Sequence, residues 1–424
     1  MNLSEKKGMR MYSKGRLLIL SVSALFVAYA VVGGMLGTVE DARVKTLKEL
    51  KLFSDVVSKI QSDYVDTPDL NKTLAGALQG LTDALDSYCS YVPASSVPGV
   101  KNRKERFKAD IGAAMAKRYG YGYVVAVLSG GPAEAAGLRS GDIIESIDGK
   151  HTAELSLAEM ESLLVGPQDS QVQLIIIRTR NTEPTKISVN RKVPDFPAVQ
   201  AKVLESDIGY LKIPAFTHGI ASEASAKLRM LLSGKPSGLI LDLRGSGFGD
   251  YDEAMKVADL FLPAGKTMAT LKVRKEKVKD YISTGAAVDF STPAVVLTSA
   301  GTSGPAELFA AALKENNRAR LVGEKTSGTG SLQQSLELED GSLLILTTHL
   351  FYTPAGSSIE NKNLRKAGIQ PDEKVPDESF VTNFYYQNPN LTGDEQYNRL
   401  LAEVEKLQLQ RAVELVRKSL KKAA

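Results

Sequence analysis

The stretch TSGPAELFAAALKENNRARLVGEKTSGTGSLQQ, Thr302–Gln334, has the order of a catalytic segment. A small-residue turn leads into an Ala-rich helix, a short strand follows, and a Gly-rich loop closes it. Acyl transfer on such a frame needs an ionisable oxygen or sulfur and a base beside it. Ser303 could supply the oxygen and Lys325 the amine. Each residue also has an ordinary role. Ser303 suits a helix N-cap with Glu307 in the first turn, and Lys325 suits a solvated loop. Ser327 and Ser331 read as turn residues with nothing basic near them.

Other chemistries are excluded by residue type. His151, His218 and His349 are scattered and make no metal-ligand spacing. Cys89 is the single cysteine, so no intramolecular disulfide exists. GSGFG after LILDLR lacks both the dinucleotide-binding spacing and the P-loop lysine. No cofactor and no metal are therefore expected. The net charge of +4 resides in residues 1–16, where Lys6, Lys7, Arg10, Lys14 and Arg16 oppose Glu5 alone. The rest of the chain is neutral, which gives no electrostatic footing for nucleic acid.

The basic cluster precedes an apolar, uncharged run, LLILSVSALFVAYAVVGGMLG at 17–37. Its length matches a membrane-crossing helix. Glu40 and Asp41 follow it, so the positive-inside rule keeps 1–16 cytoplasmic and exports the bulk of the chain. A cleaved signal is the rival, since Ala28–Ala30 (AYA) resembles a cleavage site. The apolar run continues to Leu36, which favours an uncleaved single-pass anchor.

Apolar residues three or four apart predict an amphipathic helix over 42–64, and a second begins after Asp69. LDSYCSYVPASSVPG then reads as turn and linker, so 42–107 forms a helical cap. Short strands and tight turns fill 108–193. Pro132 opens a one-turn helix, Gly137 closes it, and a hairpin surrounds NTEP. From Asp207 onward, the strands IGYLKI, GLILDLR, AVVLTS and ARLVGE alternate with helices at about 219–233, 250–262 and 303–316. That alternation argues an α/β core, placed at 198–375. A helix over 394–424, within a tail of 376–424, carries Arg417, Lys418, Lys421 and Lys422 at its C-terminal end, where the dipole favours cations.

The string Gly131-Pro132-Ala133, Ala136-Gly137-Leu138, Gly141-Asp142-Ile143-Ile144 and Ile147-Asp148-Gly149 resembles a PDZ domain. PDZ domains take extended peptide C-termini by strand addition and capture the carboxylate on backbone N–H groups. The resemblance places that capture at Ile111, Gly112 and Ala113, with Asp110 just before it as a source of repulsion.

The whole order resembles the C-terminal processing peptidases, also called tail-specific proteases. IGYLKI, GLILDLRG, AELFAAALKENNRARLVGEKTSGTGSLQ, LTTHLFYTPAGSSI and GIQPD carry the resemblance over about 45–420. It implies a crotonase-like α/β core, a Ser–Lys dyad and a homodimer assembled by helical ends. It puts the nucleophile at Gly304, which has no side chain, and the base 25 residues later at Thr329. It puts oxyanion donors at Pro305, which has no N–H, and at the Phe248–Gly249 pair, with Phe248 at the first of two glycine positions. Gln333 matches a residue that orients the lysine. Loss of one oxyanion donor alone costs roughly 10²–10³-fold in rate. The expectation is a membrane-anchored, exported pseudopeptidase that binds protein C-termini or unfolded tails through its PDZ domain. The alternative is an active peptidase with a relocated Ser303–Lys325 dyad.

Overall fold

The structure, a computed structural model, describes residues 47–423 apart from 179–183, 206, 275, 287, 289–290, 362, 364–365 and 389–393. The apolar run at 17–37 lies outside the described residues. Among the described residues no helix is long and apolar enough to cross a membrane. The chain divides into two compact units, 1–74 and 75–424. The described part of the first holds helix α1 (47–63) and the start of α2 (Leu70–Asp83). Leu47, Leu50, Phe53 and Val56 of α1 are exposed. Asp69 caps α2, its carboxylate accepting from the N–H groups of Asn71 and Lys72.

In the second unit the stretch expected as linker contains structure. β1 (Ser90–Val92) pairs antiparallel with a later strand, and α3 (Val97–Arg106) follows it. The PDZ domain comprises β2 (Ala113–Arg118), β3 (Tyr121–Val127), α4 (Pro132–Ala135), β4 (Ile143–Ile147), β5 (Lys150–His151), α5 (Leu157–Leu164), β6 (Gln171–Ile177) and β7 (Thr185–Asn190). Its sheet runs β2-β3-β4-β6-β7, with β5 on β4. Pro132 and Gly137 bracket α4 as their backbone preferences require, Gly137 at φ +81°.

The core adds β8 (Gln200–Leu204), β9 (Ile208–Lys212), α6 (Ile220–Ser233), β10 (Gly238–Asp242), α7 (Tyr251–Asp259), β11 (Thr267–Val273), β12 (Glu276–Ile282), β13 (Ala294–Thr298), α8 (Pro305–Glu315), β14 (Ala319–Gly323), β15 (Ser331–Glu337), β16 (Leu343–Tyr352) and β17 (Glu373–Lys374). α9 (Glu378–Gln387) and α10 (Asp394–Ala423) end the chain. One sheet runs β17-β14-β13-β10-β9-β8, parallel except where β8 meets β9. Every residue of β10 and β13 is buried, because helices cover both faces of a parallel sheet. Leu228, Val257 and Phe309 of α6, α7 and α8 pack on one face, and Val413 and Val416 of α10 on the other. A second sheet, β1-β16-β11-β12 with β15 on β16, is antiparallel. In open parallel sheets, ligand crevices form beyond the carboxyl ends of the strands. Those of β10, β13 and β14 lead into the loops 243–250, 299–304 and 324–330, which hold the candidate residues.

Candidate active site

Helix α8 is the centre of the site. Gly304 is its N-cap and Pro305 its first residue. Ser303 is therefore not the cap expected of it; it is buried, and its N–H donates to the Ser246 carbonyl at 2.9 Å. Gly304 holds φ +55° and ψ −117°, a conformation that L side chains rarely adopt and that tends to be held at functional sites. Here the residue is the one type for which it is free of Cβ strain.

Glu307, fully buried in the first turn of α8, accepts five hydrogen bonds. Its Oε2 takes the N–H groups of Gly304 (3.0 Å) and Thr329 (2.8 Å) and the Ser327 hydroxyl (3.0 Å). Its Oε1 takes the Gly328 N–H (2.8 Å) and the Thr326 hydroxyl. One carboxylate thus ties the nucleophile turn to the base turn. Burial pushes its proton affinity above the ordinary range, against the pull of these donors.

The two positions where the resemblance puts a dyad, Gly304 and Thr329, carry no nucleophile and no amine. Gly304 offers no oxygen, and a Cβ built there would lie 3.5 Å from the Tyr251 phenol oxygen. The Thr329 hydroxyl lies 2.6 Å from the Tyr88 phenol and 3.3 Å from the Ser327 hydroxyl. Burial raises the pKa of both phenols, so neither is an anion near neutrality. Pro305 has no N–H. The Phe248 carbonyl accepts from the Phe216 N–H at 2.9 Å, and Gly249 bridges Phe216. The Gln333 amide donates to the hydroxyls of Ser331 (2.8 Å) and Thr347 (3.2 Å) rather than to position 329. Lys325 is half-buried, not the solvated residue expected, and burial and the Arg118 guanidinium hold its amine below the usual lysine range. Among the described residues no cluster of His, Cys, Asp or Glu could hold a metal ion.

Tyr88, Tyr251, Arg118 and Glu360 escaped the sequence analysis. Tyr88 meets Thr329 across 241 positions, a pairing no local pattern announces. Together with Lys117, Arg118, Arg274 and Gly328, Tyr88 and Glu360 line a cavity of about 670 Å³. Burial pushes the Glu360 carboxyl up to about 7, with Asp86 and Glu307 adding negative field.

The PDZ domain sits against this frame. Arg118 at the end of β2 donates to the Ser327 carbonyl (3.0 Å). Gly247 allows the β10 loop to approach β3, since a Cβ there would fall 2.3 Å from that of Ala126. In the loop where the resemblance places peptide capture, Ile111 is buried and Ala113 pairs with Val127. The Gly112 N–H already donates to the Asp110 carboxylate at 2.7 Å. Burial raises the Asp110 pKa, opposed by that bond. At the other end of β2, the Lys117 N–H donates to the Ser87 carbonyl at 3.0 Å.

Comparison with known proteins identifies the two parts of the chain that meet here. The model of peptidase family S41 matches residues 207–375, and that of the PDZ domain matches 123–178. The chain belongs to the C-terminal processing peptidase family. This family member is 29% identical over 361 residues to the carboxy-terminal-processing protease of Bartonella bacilliformis, spanning 84% of this chain and 82% of that protein. It is 34% identical over 256 residues to the carboxyl-terminal-processing protease of Synechocystis sp., spanning 59% and 58%. In fold it is similar to the solved photosystem II D1 C-terminal processing protease, with a TM-score of 0.63, 24% identity, and coverage of 76% of this chain and 86% of that one.

Proposed function

We propose that this C-terminal processing peptidase homologue is a pseudopeptidase. It is anchored by the apolar segment at 17–37, exported, and binds protein C-termini or unfolded tails through its PDZ domain as a scaffold or regulator. The observation that carries this reading is Gly304 at the head of α8, with Thr329 bound to the Tyr88 phenol where a base would stand. Acyl transfer needs both groups, and losses within one catalytic unit are not made good by what surrounds it. The frame persists because Glu307 and the PDZ contact at Arg118 hold it without the reacting groups.

A second reading has one observation in its favour. Lys325 has a lowered pKa and follows β14, while Ser303 lies buried next to Gly304. A displaced Ser303–Lys325 dyad would use these two groups, and displacement by about an ångström already costs about 10²-fold. The deciding experiment uses the full-length protein and unstructured substrates with free apolar C-termini. The wild type should leave them intact, and the triple variant Gly304→Ser, Pro305→Ala, Thr329→Lys should gain cleavage. Cleavage by the wild type, lost in Ser303→Ala and in Lys325→Ala, would establish the second reading instead.

A further inference from the structure

The outer edge of β2 ends in a stop supplied by the chain itself. Gly112 faces β3, where its carbonyl accepts from the Leu128 N–H at 2.8 Å. Ala114, Ala116 and Arg118 face the same way by alternation, so the peptide groups of Ala113, Met115 and Lys117 face outward. Those of Ala113 and Met115 have no hydrogen-bond partner among the described residues. The Met115 side chain packs in the PDZ core, which fixes the strand without using its outer edge. The third outward group is taken: the Lys117 N–H donates to the Ser87 carbonyl at 3.0 Å.

Ser87 belongs to a strap tied on both sides. The Asp86 carboxylate accepts from the N–H groups of Tyr88 and Cys89, each at 2.8 Å. The Tyr88 phenol meets the Thr329 hydroxyl, and Ser90–Val92 pair with β16. The Ser90 hydroxyl accepts from the Ala158 N–H in the first turn of α5 at 3.3 Å. From β2 the buried Lys117 amine pairs with Asp83 and donates to the Leu155 carbonyl, both at 2.8 Å. The strap therefore crosses the edge at Lys117 and makes there the backbone contact that an added strand would make.

A ligand strand lying antiparallel on β2, with its carboxylate at Gly112, sets its last residue against Ala113. Ladder partners recur every second residue, so its third residue from the end meets Met115 and its fifth would meet Lys117. We propose that the β2 edge takes only the last four residues of a polypeptide, and that the strap Asp86–Cys89 turns the fifth out of the sheet. This rests on the reading of the PDZ domain as a binder of C-termini given above, and it selects among the partners named there. A short tail emerging directly from a folded domain fills the edge, and a long unfolded segment gains nothing further on it.

The test is competition by unlabelled, N-acetylated peptides against a dye-labelled ten-residue peptide on the full-length protein, read by fluorescence anisotropy. One series shares an apolar C-terminal sequence and runs from two to eight residues. Affinity should rise up to four residues and then stay level. A second series carries a single backbone N-methyl group. At the third residue from the end it should weaken binding at least about fivefold, the size of one lost hydrogen bond, and at the fifth it should have no effect. Asp110→Asn, at the carboxylate end of the edge, should tighten all lengths of four or more by the same factor. Affinity that keeps rising to eight residues, or an equal loss from N-methylation at the third and fifth residues, overturns the stop at Lys117. If peptides bind and neither N-methyl group matters, strand addition on β2 is wrong while the binding of C-termini stands. If no peptide binds, both fail.

Discussion

At the residue scale, Glu307 holds two turns of the candidate site together. Its two oxygens satisfy three backbone N–H groups and two hydroxyls from separate loops. Removing it leaves those donors buried and unmatched, at about 1–3 kcal/mol for each that water cannot reach. Glu307→Ala should therefore lower unfolding stability by about 3–5 kcal/mol in urea titration. A loss below about 1 kcal/mol would show that the two turns hold each other without it. Gly304 makes a contrasting case. Space exists for a Cβ, with the Tyr251 phenol at ordinary contact distance, so strain comes from the backbone alone. Gly304→Ala should cost about 1–3 kcal/mol, the price of an L residue in a sparsely populated conformation.

At the element scale, the strand edge and loop that would receive a peptide are partly occupied by the chain itself. Asp110 holds the Gly112 N–H, and Ser87 holds the Lys117 N–H at the far end of β2. A peptide carboxylate reaching Gly112 must meet the charge of Asp110. A like charge at about 4 Å costs on the order of 1 kcal/mol in a water-like medium. Asp110→Asn keeps an acceptor for Gly112 and removes that charge. It should bind free C-termini about fivefold tighter while leaving affinity for C-terminally amidated peptides unchanged, as read by fluorescence anisotropy. An equal gain for both peptides would trace the effect to loop flexibility instead. The strand β1 and helix α3 belong to this scale too. Ser90–Val92 pair with β16, and Val92, Val97 and Val100 pack on Ala158 of α5 and on Leu343. The linker thereby ties the PDZ domain to the antiparallel sheet.

At the scale of the whole molecule, Glu360 gives stability a pH dependence. Its folded-state pKa is raised to about 7 by burial, whereas an unfolded Glu releases its proton near about 4.3. Between those values the folded state holds more protons than the unfolded state, so stability is fullest at lower pH and falls as pH rises toward 7. The contribution is about 3.7 kcal/mol over the whole range by linkage, about 2.5 kcal/mol of it between pH 5 and pH 8, and Glu360→Gln should remove it. Urea titrations of wild type and variant at pH 5 and pH 8 read the difference directly, and parallel curves for the two proteins would refute it.

The core strands and helices were legible in the sequence because apolar period and turn residues are local. Pro132, Gly137, Asp69 and the four strands from Ile208 to Gly323 follow from backbone preferences and burial of alternating or continuous apolar runs. Gly304, Pro305 and Thr329 came from the resemblance, and the structure places the first two at the head of α8 and the third in a turn bound to Glu307. The hairpin β11–β12, the strand β15 and the strand β1 were not legible, being polar, half-exposed or embedded in a turn-rich stretch. Ser303 as a cap and Lys325 as a solvated residue were misjudged for a related reason. A cap depends on which backbone N–H faces inward, and solvation depends on which distant element arrives. Tyr88 beside Thr329, Asp110 on Gly112 and the unmatched oxygen of Glu360 were decided only in three dimensions, because desolvation and hydrogen-bond matching depend on neighbours that chain order does not name.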